Sequence, residues 1–312
     1  MLVQGSASAV PRRVMVPRLL DEPESHRLLD SAIEKGRPAA SAIEFDFSQL
    51  EFCKPSGMVV FACLLRWLKT KSVQIKLTIP PSKDRTSRFA QTEPLKYLDD
   101  SEFFKQWTGS NIYPWSKVRP TTIPLKSIRS GETHSWIEFE FMPWIVGHSS
   151  LDETAFDEII VSLREIFNNI SDHSGISEGY AFAQVYPEKK SLVISIADFG
   201  LGIPANVRKV RPNLDDGQAI LVASQEGFTT SSTGRNLGLG LDTLIKYTLE
   251  TNGGVVRIRS GQGRLICAHG SRGAVRTPLP ARGQYPGTLV EFAFRLDKLE
   301  ARSEMPSTLP WR

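Results

Sequence analysis

Apolar side chains alternate with polar ones at Ile43, Phe45 and Phe47, and again at Val73, Ile75, Leu77 and Ile79. Period-two patterning of this kind predicts two strands. Between them, Met58 to Lys69 is dense in apolar residues (Leu64, Leu65, Trp67, Leu68) and lacks proline, which predicts a helix. Pro55, Ser56 and Gly57 precede it, with Ser56 a credible helix cap. Strand, helix and strand within about 40 residues form a βαβ unit, so the two strands should be parallel. A second helix is expected at Leu95–Phe104, after Pro94. Residues 108–150 carry Pro114, Pro120, Pro124 and Pro143 and read as a junction, in which the alternation from Trp136 to Met142 suggests one further strand.

Beyond the junction the period changes. Ile159, Ile160, Leu163, Ile166, Phe167 and Ile170 have the spacing of an amphipathic helix over 151–173. Tyr180–Tyr186 and Leu192–Ala197, joined by Pro187 to Lys190, read as an antiparallel hairpin. Asp216–Glu226 looks helical, and Leu241, Leu244, Ile245 and Tyr247 mark another helix. Val255–Ser260 and Gly287–Phe294 alternate as closing strands. The stretch between them, with Arg264, His269, Arg272, Arg276 and Arg282, reads as a long solvated loop. Its alternative use is nucleic-acid binding, although aromatic interleaving is sparse.

Composition narrows the classes. A chain of 312 residues suggests two domains. No apolar run approaches the ~20 residues of a membrane helix, and Met1 to Arg13 lacks the apolar core of a secretion signal. Cys53, Cys63 and Cys267 form no Cys-x-x-Cys pair, which argues against a disulfide framework or a structural zinc and favours a reducing, cytoplasmic setting. The net charge of +4 permits a nucleic-acid partner without arguing for one.

Candidate chemistry falls in three ordered motifs. Glu165, Asn169 and His173 lie four apart and share one helix face. A carboxylate there can accept a proton, and a carboxamide oxygen suits a hard cation that keeps most of its waters. His173 serves either as a hydrogen-bonding neighbour or in catalysis. Asp198-Phe-Gly200-Leu-Gly202-Ile203 follows a strand, and an Asp so placed can accept a hydrogen bond from an exocyclic amine. Asn236-Leu237-Gly238-Leu239-Gly240 opens a helix, where free amides bind anions. Each motif alone also fits a bland reading: a solvated helix face, a tight turn, a glycine-rich helix start. Pro204 to Arg235, ending in a run of hydroxyls and glycine, has the composition of a flexible lid. Arg235 either contacts a terminal phosphate or is simply solvated. No Walker motif appears, and the glycines do not suit a dinucleotide fold.

In this order the motifs resemble the N, G1 and G2 boxes of the GHKL ATPase superfamily, which includes Hsp90, gyrase, histidine kinases and MutL. The resemblance covers 151–296 and implies a Bergerat α/β sandwich, with helices on one face of a mixed sheet. It implies ATP and Mg2+ as cofactors, with Asn169 on magnesium and Glu165 activating or orienting the attacking group. It also implies Asp198 on the adenine amine, Gly200, Gly202, Ile203 and Thr288 as further nucleotide-binding residues, and residues 236–240 on phosphate. Asn236 stands where the family usually has glycine; it is the residue that next best tolerates positive φ. Residues 1–110 resemble a STAS domain, the α/β fold of anti-sigma-factor antagonists, in which Ser56 matches the phosphoacceptor hydroxyl. Lys54 and Pro55 replace the family's acidic residue, which leaves helix capping as the other role for Ser56.

Residues 111–150 then form the junction and 297–312 a tail. No upstream histidine has a phosphoacceptor setting, and only 18 residues follow Phe294 here, so the resemblance is expected to run to the anti-sigma-factor serine kinases rather than to histidine kinases or to Hsp90, gyrase and MutL, which carry a further domain. The expected protein is therefore an ATP- and magnesium-binding regulator of partner-switching type. It would act as a serine/threonine kinase or an ATP-driven switch, and recruit a protein partner through its STAS-like half. A non-catalytic interaction module stabilised by nucleotide, and an ATPase of a nucleic-acid-associated or defence complex, are the alternatives. Dimerisation is compatible with the family.

Overall fold

The computed structural model describes residues 10–80, 93–149, 151–228, 240–271 and 273–299. Its N-terminal part is a parallel sheet of β1 (Arg12–Met15), β2 (Ala42–Asp46) and β3 (Gln74–Thr78), with β2 in the centre. Helix α1 (Ser25–Ala32) follows β1, and α2 (Pro55–Thr70) is the crossover from β2 to β3, as the βαβ pattern requires. Pro55, whose fixed φ suits the first helical position, opens α2 with Lys54 as the capping residue. Ser56 is therefore inside the helix and buried, not its cap. Every residue from Met58 to Leu65 is buried, which a helix with one covered face cannot achieve. The parallel sheet covers one side of α2, and a second, larger sheet covers the other.

The predicted helix at 95–104 is two: α3 (Glu93–Asp100) and α4 (Phe103–Thr108). Glu102 adopts a left-handed conformation, φ 61°, and turns the chain so that Phe103 and Phe104 both enter the core. Next comes β4 (Thr122–Arg129), then a helix, α5, over residues 133–146 with a π turn at Ile137–Phe141. Here the expected strand at 136–142 is overturned. Trp136, Ile137, Phe141 and Ile145 are buried while Phe139 is 78% exposed. A strand would place residues 137, 139 and 141 on one face; the four-residue repeat 137, 141, 145 is helical.

The larger sheet adds β5 (Glu178–Tyr186), β6 (Ser191–Ala197), β7 (Val255–Gly270) and β8 (Gly273–Arg295), in the order β7-β8-β6-β5-β4. Every described neighbour is antiparallel, not mixed as expected. Two helices, α5 and α6 (Asp157–His173), separate β4 from β5. They return the chain to the end where β4 stopped, and Arg129 pairs with Glu178. The supposed basic loop is the long β7–β8 hairpin itself, whose outer part, 261–283, projects as an arm beyond the pairing with β6.

Helices cover both faces of this sheet rather than one. On one face, α6 and α9 (Gly240–Lys246, continued by a π turn at Tyr247–Thr251) bury Ile159, Leu163, Leu244 and Ile245 against Ile194, Ile196, Val256 and Phe292. On the other, Tyr180, Phe182 and Leu289 join one core with α1, α2 and the parallel sheet. Arg66 of α2 pairs with Glu178 at 2.8 Å, and the Tyr97 hydroxyl donates to Gln184 at 2.6 Å across the same boundary. No helix among the described residues is long and apolar enough to cross a membrane.

Candidate functional site

β6 ends at Ala197, and Asp198 leaves the sheet with its amide still donating to Thr288 O of β8 at 2.9 Å. Its side chain turns inward and is 3% exposed. One carboxylate oxygen accepts the Gly200 amide at 2.7 Å, and the other accepts the Thr288 amide at 3.2 Å. No lysine or arginine pairs with it among the described residues. Burial pushes its carboxyl up to about 7, against the pull of those two amides.

Close backbone approaches hold the turn. Gly200 lies on Ser174, the residue that caps the C-terminal end of α6, so that any Cβ at 200 would overlap it. The Leu201 amide donates to Ser174 O at 2.7 Å, tying the aspartate turn to the helix of the first motif. Gly202 has φ +76°, and a Cβ there would stand 2.6 Å from Ser260 Oγ. That hydroxyl accepts the Ile203 amide at 3.0 Å, at the start of the short helix α7 (Ile203–Val207), and donates to Gly287 O at 2.5 Å. Tyr285, fully buried, donates its hydroxyl to the Asp198 carbonyl at 3.3 Å and packs edge-on against Phe199. From the N-terminal half, the Cys63 thiol reaches Ala197 O at 3.3 Å.

Glu165 and Asn169 lie half-buried on α6, one helical turn apart, while Asn168 is exposed. Burial, then the nearby charge of Asp172, raises the Glu165 carboxyl above its ordinary value. His173 ends α6, but its side chain lies outside the described residues, as do Arg235, Asn236, Leu237, Gly238 and Leu239. Of the third motif Gly240 is described, as the first residue of α9, which packs against α6. The fold thus joins the first two motifs through Ser174 and brings the helix that follows the third against the first.

Sequence reasoning missed Ser174, Ser260, Tyr285 and Gly287 as groups that position the turn. Gly287, at φ +90°, directly precedes Thr288 and was the one visible signal, since a side chain there would strike the Asp198 carbonyl. A serine at a helix end (Ser174) and a serine and a tyrosine within strands (Ser260, Tyr285) carry no comparable mark. Among the described residues no group of three or more His, Cys, Asp or Glu side chains could hold a metal ion.

No family model matches this chain, and no curated protein matches it. Among solved structures, the topoisomerase IV ATP-binding domain of Francisella tularensis, in complex with a small-molecule inhibitor, aligns with 57% of this chain at 12% identity and a TM-score of 0.27. The alignment spans 45% of that chain, less than half its length, and a likeness this weak establishes no shared fold.

Proposed function

We propose that this chain is an ATP-binding regulatory protein of the GHKL type. In this reading Asp198 accepts the adenine amine, Asn169 carries magnesium and Glu165 orients the attacking group. One observation carries the reading: a carboxylate buried at a strand end with no cation beside it among the described residues. An unpaired buried charge costs the fold stability, and a ligand amine would relieve it. Adenine offers that amine, whereas guanine presents a carbonyl at the same place and would leave the carboxylate unpaired. Support also comes from the antiparallel sheet with α6 and α9 on one face, and from the contact of the aspartate turn with α6.

Magnesium suits a single protein ligand, because it dehydrates reluctantly and would take its other ligands from phosphate and water. Asn169 supplies such an oxygen without an acidic cluster. Residues 236–240 would cradle phosphate, with Arg235 beside them. The N-terminal half, with its βαβ unit, would recruit a protein partner in the manner of a STAS domain. ATP would then either phosphorylate a serine or threonine or switch affinity for that partner. Ser56 is 2% exposed, so transfer to it would first require the start of α2 to open.

Calorimetric titration with ATP and magnesium tests the site. Asp198→Asn should weaken ATP at least ~10-fold, the order expected for a lost charged hydrogen bond. Glu165→Ala should bind nearly as the wild type does and lose release or transfer of labelled γ-phosphate. Unchanged ATP affinity in Asp198→Asn would refute the assignment.

A further inference from the structure

A single chain of hydrogen bonds ends on the Asp198 carboxylate. The Ile203 amide donates to Ser260 Oγ at 3.0 Å, and the Ser260 hydroxyl donates in turn to Gly287 O at 2.5 Å. Gly287 O and the Thr288 amide belong to one peptide unit, and that amide donates to Asp198 at 3.2 Å. In a trans peptide the carbonyl and the N–H point in opposite directions, so these two bonds lie on either side of one planar group. All the hydrogens run one way, from the start of α7 to the carboxylate. Each donation polarises the next group along and strengthens the bond that follows.

Ser260 is the member of this chain that comes from a distant strand. It is fully buried in β7, so its hydroxyl has no solvent to fall back on. It pairs with Thr288 across the sheet, at the last register before the β7–β8 pairing shifts. Beyond that shift the arm rests on α8 (Asp216–Ala223), where the Asp216 carboxylate accepts the Gln262 amide at 2.6 Å. Strand pairing on one side and this seat on the other hold the backbone of the serine. A Cβ at Gly202 would meet both Ser260 Oγ and Gly287 O, so the relay is tightly enclosed.

The surroundings leave little else to set the charge on Asp198. From α2 the Cys63 thiol faces it, and from β8 the Tyr285 phenol. Burial pushes both well above their ordinary values, so both stay neutral through the range in which Asp198 titrates. α6 presents Ser174, which does not titrate. Burial raises the Asp198 carboxyl, and among the described residues the Gly200 and Thr288 amides are what oppose it.

We propose that Ser260 is a positioning residue for the nucleobase: through the Gly287–Thr288 peptide it keeps Asp198 an anionic acceptor for the adenine amine. Resting on the nucleotide reading above, this role adds a residue from outside the three motifs. Without the hydroxyl, the Thr288 amide is a weaker donor and its peptide is free to turn, so the carboxylate holds its proton to higher pH. A protonated Asp198 has lost the charge that draws the amine. A residue that merely braced the turn would cost affinity alike at every pH.

The test follows the Asp198 carboxyl by carbon NMR in protein with isotope-labelled aspartate, its signal assigned by its absence in Asp198→Asn. Calorimetry with ATP and with adenosine runs beside it, from about pH 6 to about pH 9. In Ser260→Ala the titration midpoint should rise by about half a unit to one unit, because hydrogen bonds to the charged form set that value. ATP and adenosine should each bind about threefold more weakly at about pH 7, and recover to within about twofold of wild type at about pH 9. Ser260→Cys, a weaker donor of nearly the same size, should fall between the two, and carries the test if the alanine variant does not fold. An unmoved midpoint, or a loss of affinity as large at high pH as at neutral pH, would overturn the proposal. If the wild type binds neither ligand, the nucleotide reading fails and this role with it. If it binds both and the midpoint stays where it was, only the role of Ser260 falls.

Discussion

Asp198 concentrates the physics of the site in one side chain. Its two amide donors do not offset burial, so the folded protein retains a proton on it up to about pH 7, whereas an unfolded aspartate releases it near 3.8. Between these values the native state binds more protons than the unfolded state, so stability falls as pH rises through that window, at up to about 1.4 kcal/mol per pH unit from this residue. Chemical denaturation across the window should show that slope, and Asp198→Asn should remove it. A slope of equal size in the variant would mean that another group titrates. ATP affinity should move oppositely, rising from about pH 6 to about pH 8 as the carboxylate ionises and becomes an acceptor for the adenine amine. The sequence marked Asp198, Gly200 and Gly202 because glycines after a strand-end aspartate are a local pattern. It could not mark Tyr285 or Ser260, which reach the turn from strands 57 or more residues away in the chain.

At the scale of elements, α5 is the instructive case. Its segment alternates over 136–142 as a strand would, yet the pattern is too short to separate a strand from a helix entering a core. Burial of 137, 141 and 145 decided it, because α5 packs on α6 with Trp136 set edge-on against Phe167. The helical assignment predicts unequal tolerance. Phe139→Lys should change the midpoint of urea unfolding little, whereas Ile137→Lys should cost several kcal/mol for an unpaired buried charge. Equal damage at 137 and 139 would favour a strand. The basic hairpin shows the same limit from the opposite side. Arg264 and Arg276 looked solvated in a polar stretch, but pairing between strands and contact with α8 gave that stretch order and Arg276 a specific anion to meet.

Across the whole molecule, the N-terminal half and the antiparallel sheet share a core, with α2 buried between two sheets. Removing the first half would expose Tyr180, Phe182 and Leu289 on a broad apolar face, a surface prone to association. Unfolding should accordingly be one cooperative transition, with Trp67 and Trp136, as single reporters in otherwise tryptophan-free variants, giving the same midpoint. Two separated transitions would show that the halves are energetically independent. The shared core also places Cys63 and α2 directly beneath the strand end that carries Asp198, so a strain applied to the first half has a short route to the site.

Local regularities were sufficient for what depends on neighbours in the chain. The period-two strands, the amphipathic α6, the βαβ crossover and the glycines after Asp198 are all set by sterics and side-chain spacing within a few residues, and the sequence alone determined them. Which face of a strand is covered, whether a sheet is mixed or antiparallel, and which carboxylate meets which arginine depend on elements distant in the chain. Tertiary structure decided those, because burial and pairing energies belong to contacts between segments and leave no period in any one of them.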